Sequence, residues 1–237
     1  MMMAAVSIFG QFQGIRESIV SNLLIEDRWE MMVDGLGVTL EISLLSLLFA
    51  TLFGALICSF RMSRNPLVKG MAQLYIELMR SLPLLLLLLV MFYLVLASSG
   101  LGKTHIAVVC FTLYFGAFFC EIFRSGIEGV SKGQWEAGAA LGMNKRQVLS
   151  KIVLPQALLR VLPVYKNQMV TLIKSTSIVG YVSIMDITKA SDVIRSRTFD
   201  AFFPLLMTAL IYLMLSWLFG LAIDMIEKRL TPKHRTL

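Results

Sequence analysis

Residues 132–155 read KGQWEAGAALGMNKRQVLSKIVLP, the longest polar interruption in a 237-residue chain that is 57% hydrophobic. The order of residues predicts two short helices joined by a glycine. Glu136 to Leu141 is rich in helix formers. Gly142 stands where a helix ends in a left-handed residue, a conformation glycine adopts without steric cost. Asn144 can cap a second helix, with Gln147 completing a capping box. Pro155 is expected to stop that helix and to suit the first turn of the next. Lys132, Lys145, Arg146 and Lys151 make the stretch basic. By composition alone, an ordinary solvated loop fits as well as an interaction element.

On either side of this loop the chain is apolar. Runs of roughly 20 apolar residues predict five membrane spans. They lie at about Leu36 to Phe60, Leu82 to Ser98, Ile106 to Phe123, Pro155 to Tyr181 and Phe203 to Ile226. Residues 1–34 are expected to form an interfacial segment, with a helix from Ile15 to Val33 in which acidic residues outnumber basic ones. Residues 35–229 form the transmembrane domain, and 230–237 a tail. Basic residues cluster after the first, third and fifth spans and make up more than half of the 22 lysines and arginines. By the positive-inside rule that face is cytoplasmic, which puts the N-terminus outside and the organising loop and tail inside. The net charge of +7 is therefore membrane topology and not a nucleic-acid site. Cys58, Cys110 and Cys120 all lie in apolar stretches and read as small buried hydrophobes, not as a metal or disulfide framework.

Several motifs resemble the permease subunits of bacterial ATP-binding cassette importers. Glu136-Ala137-Gly138, then Gly142, then Ile152, Leu154 and Pro155 keep the spacing of that family's EAA loop, with Gly138 in place of its second alanine. Tyr75-Ile76-Glu77 through Arg80-Ser81-Leu82-Pro83-Leu84 resembles the family segment leading into the second span. Glu121-Ile122-Phe123-Arg124-Ser125-Gly126-Ile127 resembles that at the inner end of the third. Gly133-Gln134-Trp135-Glu136, Leu154-Pro155-Gln156-Ala157, Pro163, Asn167 and Leu172 to Ser177 are similar to the polar amino-acid branch, which often has aspartate where Ser175 stands. The resemblance implies an all-α, inner-membrane permease that moves a polar amino acid by alternating access. It implies that Gly133, Glu136, Ala137, Gly142, Leu154 and Pro155 belong to a loop that couples to an ATPase. It also implies its partners: a cytoplasmic ATPase dimer holding ATP and Mg, a second permease subunit, identical or homologous, and an extracytoplasmic substrate-binding protein. Membrane lipid surrounds the spans, and no cofactor is expected in this chain.

Several constellations compete for attention. Gly100-Leu101-Gly102-Lys103-Thr104 has the end of a phosphate-binding loop, but Ala97 replaces its first glycine and apolar spans flank it. It reads as an external turn. Projected at 100° per residue, Arg160, Asn167, Thr171, Lys174 and Ser175 share one sector of the fourth span. Polar and ionisable groups at membrane depth usually face a bundle interior or a water-filled path. With the adjoining Gln168 they are the candidate substrate path, and Pro163 predicts a kink among them. Glu41 reads as a snorkelling carboxylate, Glu121 and Arg124 as an ion pair, and the charged run from Asp186 to Asp200 as an external solvated or docking segment. The path carries lysine and arginine but no carboxylate of its own, so a neutral or acidic substrate is expected over a cationic one. No catalytic or metal-binding set is visible. The rival reading is an ion-coupled secondary transporter or channel with no ATPase.

Overall fold

The computed structural model describes residue 18 and residues 20–230; the methionine-rich start and the tail lie outside these. The described residues are helical, with no strand among them. A π turn at Val20–Leu24 and a 3-10 turn at Ile25–Asp27 precede the first long helix, α1, Arg28–Arg61. Glu26 and Asp27 both have φ above +45°, at 56° and 50°, so the chain breaks between the turns and α1. The interfacial helix expected to reach Val33 is therefore corrected. It breaks at Glu26–Asp27, and Arg28 to Asp34 belong to the first spanning helix.

α2, Pro66–Ser81, starts on an Asn65 cap, whose Oδ1 accepts from the Leu67 N–H at 2.9 Å, with Pro66 in its first turn. Leu82 then takes an extended conformation (φ −89°, ψ 138°), as a residue before proline is driven to do. α3, Leu84–Val90, and a π turn at Met91–Val95 follow at 106° to α2. The expected second span thus shrinks to Leu84–Val95, about 18 Å of helix against a hydrocarbon core of about 30 Å. Among the described residues, four helices are each long and apolar enough to cross, and the count reaches five when the bent pair is taken as one span.

α4, Lys103–Glu128, packs along α1 over most of its length. The two backbones touch at glycines: a Cβ on Gly54 would stand 2.9 Å from the Gly116 carbonyl oxygen and 2.8 Å from Phe119 Cβ. Small residues allow such close crossings in membranes, where packing and not hydrophobicity drives association. Phe111, Phe115 and Phe119 of α4 are fully buried in the core that results.

After α4 the chain forms α5, Lys132–Ala140, and α6, Lys145–Val148. α6 does not end at Pro155 as expected. It passes through a π turn, Leu149–Val153, into α7, Leu154–Ser175, and a 3-10 extension, Thr176–Val182. The Leu154 N–H reaches five residues back to the Leu149 carbonyl. A proline lacks an N–H and crowds the carbonyl four residues before it, and the wider π turn lets Pro155 enter a running helix. Pro163 lies inside α7, which is helical on both sides of it.

α8, Ile187–Thr198, and α9, Phe202–Leu230, complete the described chain. α8 is not merely a solvated segment: Ile187, Ala190 and Ile194 are buried with Met32 of α1. Asp186 caps it, accepting from Lys189 N–H at 2.9 Å and Thr188 N–H at 3.2 Å. Burial pushes its carboxyl above the ordinary carboxylate value against those bonds. A Cβ on Gly35 would lie 2.9 Å from the Asp186 backbone, so glycine there seats α8 on α1.

Candidate coupling loop and translocation face

The loop is built as its residues dictate. Gly142 has φ +75°, and α5 closes with Met143 N–H on the Gly138 carbonyl and Gly142 N–H on the Ala139 carbonyl, at 3.1 and 3.0 Å. That is the paired cap a left-handed glycine makes possible. Asn144 and Gln147 form the reciprocal capping box, at 3.0 and 2.9 Å. Val130, Val148, Val153 and Ala157 form a buried cluster, with Trp135 and Ile152 against it, that fixes the loop to the ends of α4 and α7.

Gly138, the departure from the EAA pattern, sits at the contact between the two loop helices. A Cβ there would meet Val148 Cγ2 at 2.7 Å and Ile152 Cδ1 at 3.0 Å. Glycine lets α5 lie closer to α6 than alanine would. Gly138→Ala gains about 1 kcal/mol of helix propensity but overpacks a β-branched neighbour at a cost of about 1–3 kcal/mol. A net loss of up to about 2 kcal/mol is expected, read as earlier protease cleavage of the loop while the spans stay folded.

Gly133, Glu136 and Ala137 lie exposed along α5, and Leu154 and Pro155 are exposed at the start of α7. Leu141 is 76% exposed at the tip between the helices. It was missed from sequence. Its signal was an apolar residue set beside the capping glycine of a polar loop.

The polar face of α7 is only partly as expected. Asn167, Thr171 and Lys174 are exposed in a row, and Gln168 and Ser175 are half-buried. Thr171 and Ser175 donate their hydroxyls to the carbonyls of Asn167 and Thr171, at 2.9 and 2.8 Å. The Asn167 and Gln168 amides and the Lys174 ammonium are left without side-chain partners among the described residues. Arg160 departs from the path: its guanidinium donates to the Gly129 carbonyl at the loop end. Glu121 is committed to Arg124 at 2.7 Å, and Glu41 is exposed on α1.

Two residues brace α7 behind that face. Tyr165 shares a 2.7 Å hydrogen bond with Thr51 of α1 and packs on Phe119 of α4 at 4.9 Å between ring centroids. Lys166 pairs with Asp224 of α9 at 2.6 Å. That pair was also missed, although one lysine and one aspartate inside apolar spans are expected to find each other. Gly100 has φ +72° in the turn before α4, as expected of a connector.

Comparison with known proteins agrees with this architecture. Residues 46–232 match the family described as binding-protein-dependent transport system inner membrane component. The probable glutamine ABC transporter permease protein GlnM of Bacillus subtilis (strain 168) is 34% identical over 210 residues, 88% of this chain and 97% of that protein. The L-cystine transport system permease protein TcyB of the same strain is 31% identical over 211 residues, 88% of this chain and 90% of that one. Among solved structures, an amino acid ABC transporter crystallised with histidines matches with a TM-score of 0.78 and 30% identity, over 86% of this chain and 96% of that one. The chain belongs to the binding-protein-dependent transport family as a multi-pass inner-membrane permease of an ABC importer, a transport component rather than an enzyme, working with an ATPase and a substrate-binding protein.

Proposed function

We propose that this permease carries a neutral polar amino acid along the Asn167–Lys174 face of α7, by alternating access driven from the Lys132–Pro155 loop. The observation that carries this reading is continuity: one helical rod runs from Lys145 in the loop to Val182 beyond the polar face. An ATPase dimer that binds ATP and Mg and pulls on α5 and α6 would act on the path through this one continuous helical segment, which includes the π turn at Leu149–Val153. A polar face exposed at span depth also needs a cover, and a second permease subunit, identical or homologous, would enclose it as a water-filled path. The loop then lies in the cytoplasm, and the α8 end faces the binding protein. Cysteine placed at Met143 in a cysteine-free background should react with probes only from inside.

Lys174 is the natural partner for the substrate carboxylate, and the Asn167 and Gln168 amides for its polar groups. Relatives named for glutamine and L-cystine are consistent with an uncharged side chain. Lys174→Gln should cut uptake on the order of tenfold, the loss of one charge-assisted hydrogen bond. Unlabelled glutamine should compete for uptake and lysine or arginine should not. Strong competition by lysine and arginine but not by glutamine would reverse the charge assignment.

A further inference from the structure

We propose that the coupling-loop end of the spans holds an anionic phospholipid, with its headgroup against Arg61 and Lys69 and an acyl chain running in beneath the loop helices. Two adjoining cavities carry this. One, of about 420 Å³, is lined by Arg61, Met62, Ser63, Lys69, Arg124 and Glu128. The other, of about 610 Å³, is apolar, and its walls include Cys58, Met62, Phe123, Ile127, Trp135 and Leu149. Met62 belongs to both. The apolar cavity reaches Ala55, about 9 Å further along α1 than Arg61.

The charges favour an anion. Arg124 is held by Glu121 and Glu128. The side chains of Arg61 and Lys69 make no hydrogen bond or contact ion pair among the described residues, so their charge is available. Basic pockets at the ends of spans recognise anionic headgroups. A free phosphate would use the first cavity and leave the second unfilled, whereas a phospholipid matches both, at the depth where headgroup gives way to hydrocarbon. Trp135 comes from α5, and Leu149 from the π turn that continues α6. A chain in the apolar cavity therefore touches both halves of the loop and braces it from the membrane side.

The test is native mass spectrometry of the intact chain purified with its ATPase, after exchange into phosphatidylglycerol or phosphatidylcholine. Phosphatidylglycerol should stay bound and phosphatidylcholine should be lost. Arg61→Gln with Lys69→Gln should lower retention on the order of tenfold or more. The exposed Arg64→Gln, outside the cavity, should not lower it. The charge-keeping exchange Arg61→Lys with Lys69→Arg should restore it, which separates loss of the site from misfolding. Equal retention of the two lipids, or unchanged retention in the double glutamine variant, overturns the proposal. So does displacement by millimolar inorganic phosphate, which would make this a free-phosphate site. Absence of any bound lipid would mean that a protein partner covers the cavities, and overturns it as well.

Discussion

Glu136→Lys should leave the chain folded in the membrane and abolish ATP-driven uptake. Glu136 is exposed on α5, on the side of the loop turned away from the buried Val130–Val148–Val153 cluster. The substitution breaks no described contact inside the chain. What it changes is the charge offered to the ATPase, and like charges brought together at an interface cost several kcal/mol. Association should weaken on the order of 100-fold, seen as loss of the ATPase on size-exclusion chromatography. Gly142→Val should uncouple by another route. Nothing stands within 4 Å of a Cβ at Gly142, so the penalty is the φ of +75° alone. That costs a β-branched residue about 2 kcal/mol, enough to re-aim α5 against α6. Gly142→Asn should retain most activity, because asparagine tolerates the left-handed region. Normal substrate-stimulated hydrolysis and uptake in both Glu136→Lys and Gly142→Val would remove the loop from coupling.

The second large effect is on stability. Gly54→Leu should give no stable protein in detergent. The Cβ alone would stand 2.8 Å from Phe119 Cβ, 2.9 Å from the Gly116 carbonyl oxygen and 3.1 Å from the Cys120 nitrogen. Two of these are backbone atoms of α4, which no rotamer change can move aside. Separating α1 from α4 unpacks the fully buried Phe115 and Phe119, a loss of about 3 kcal/mol or more. Gly37→Ala on the same helix meets nothing within 4 Å and should be neutral or gain up to about 1 kcal/mol. A shared melting temperature for the two variants in detergent would deny the close crossing.

The contrast between the two glycines explains what the sequence could tell. Gly142 was legible because its role is local: a helix-forming run, a glycine, then an asparagine cap determine the turn from neighbours alone. The capping box at Asn144 and Gln147 was legible for the same reason, and four of the spans follow from length and apolarity. Gly54 was not legible, because its reason lies on another helix. Gly138 likewise reads as a weak point in a helix until Val148 is seen against it. The run after Pro83 was legible in composition but not in shape. Seven apolar residues, Leu84 to Val90, have the composition of a span, while Leu82 and Pro83 turn the chain through a bend that composition does not weigh. Pro155 was read by the local rule that proline ends helices, and the π turn before it overrode that rule. Of the expected path, Asn167, Gln168, Thr171, Lys174 and Ser175 do line or flank one face, because helical projection is geometry. Arg160 left it because the Gly129 carbonyl at the end of α4 lies within reach, a partner far off in sequence.

ATP-driven import is tested most directly by purifying the tagged chain from its native membrane, reconstituting what accompanies it, and following amino-acid uptake with the binding protein supplied. An ATPase should co-purify, uptake should require ATP, and collapsing proton and sodium gradients should leave it unchanged. Uptake by the chain without an ATPase, lost when an ion gradient is collapsed, would instead make it an ion-coupled transporter.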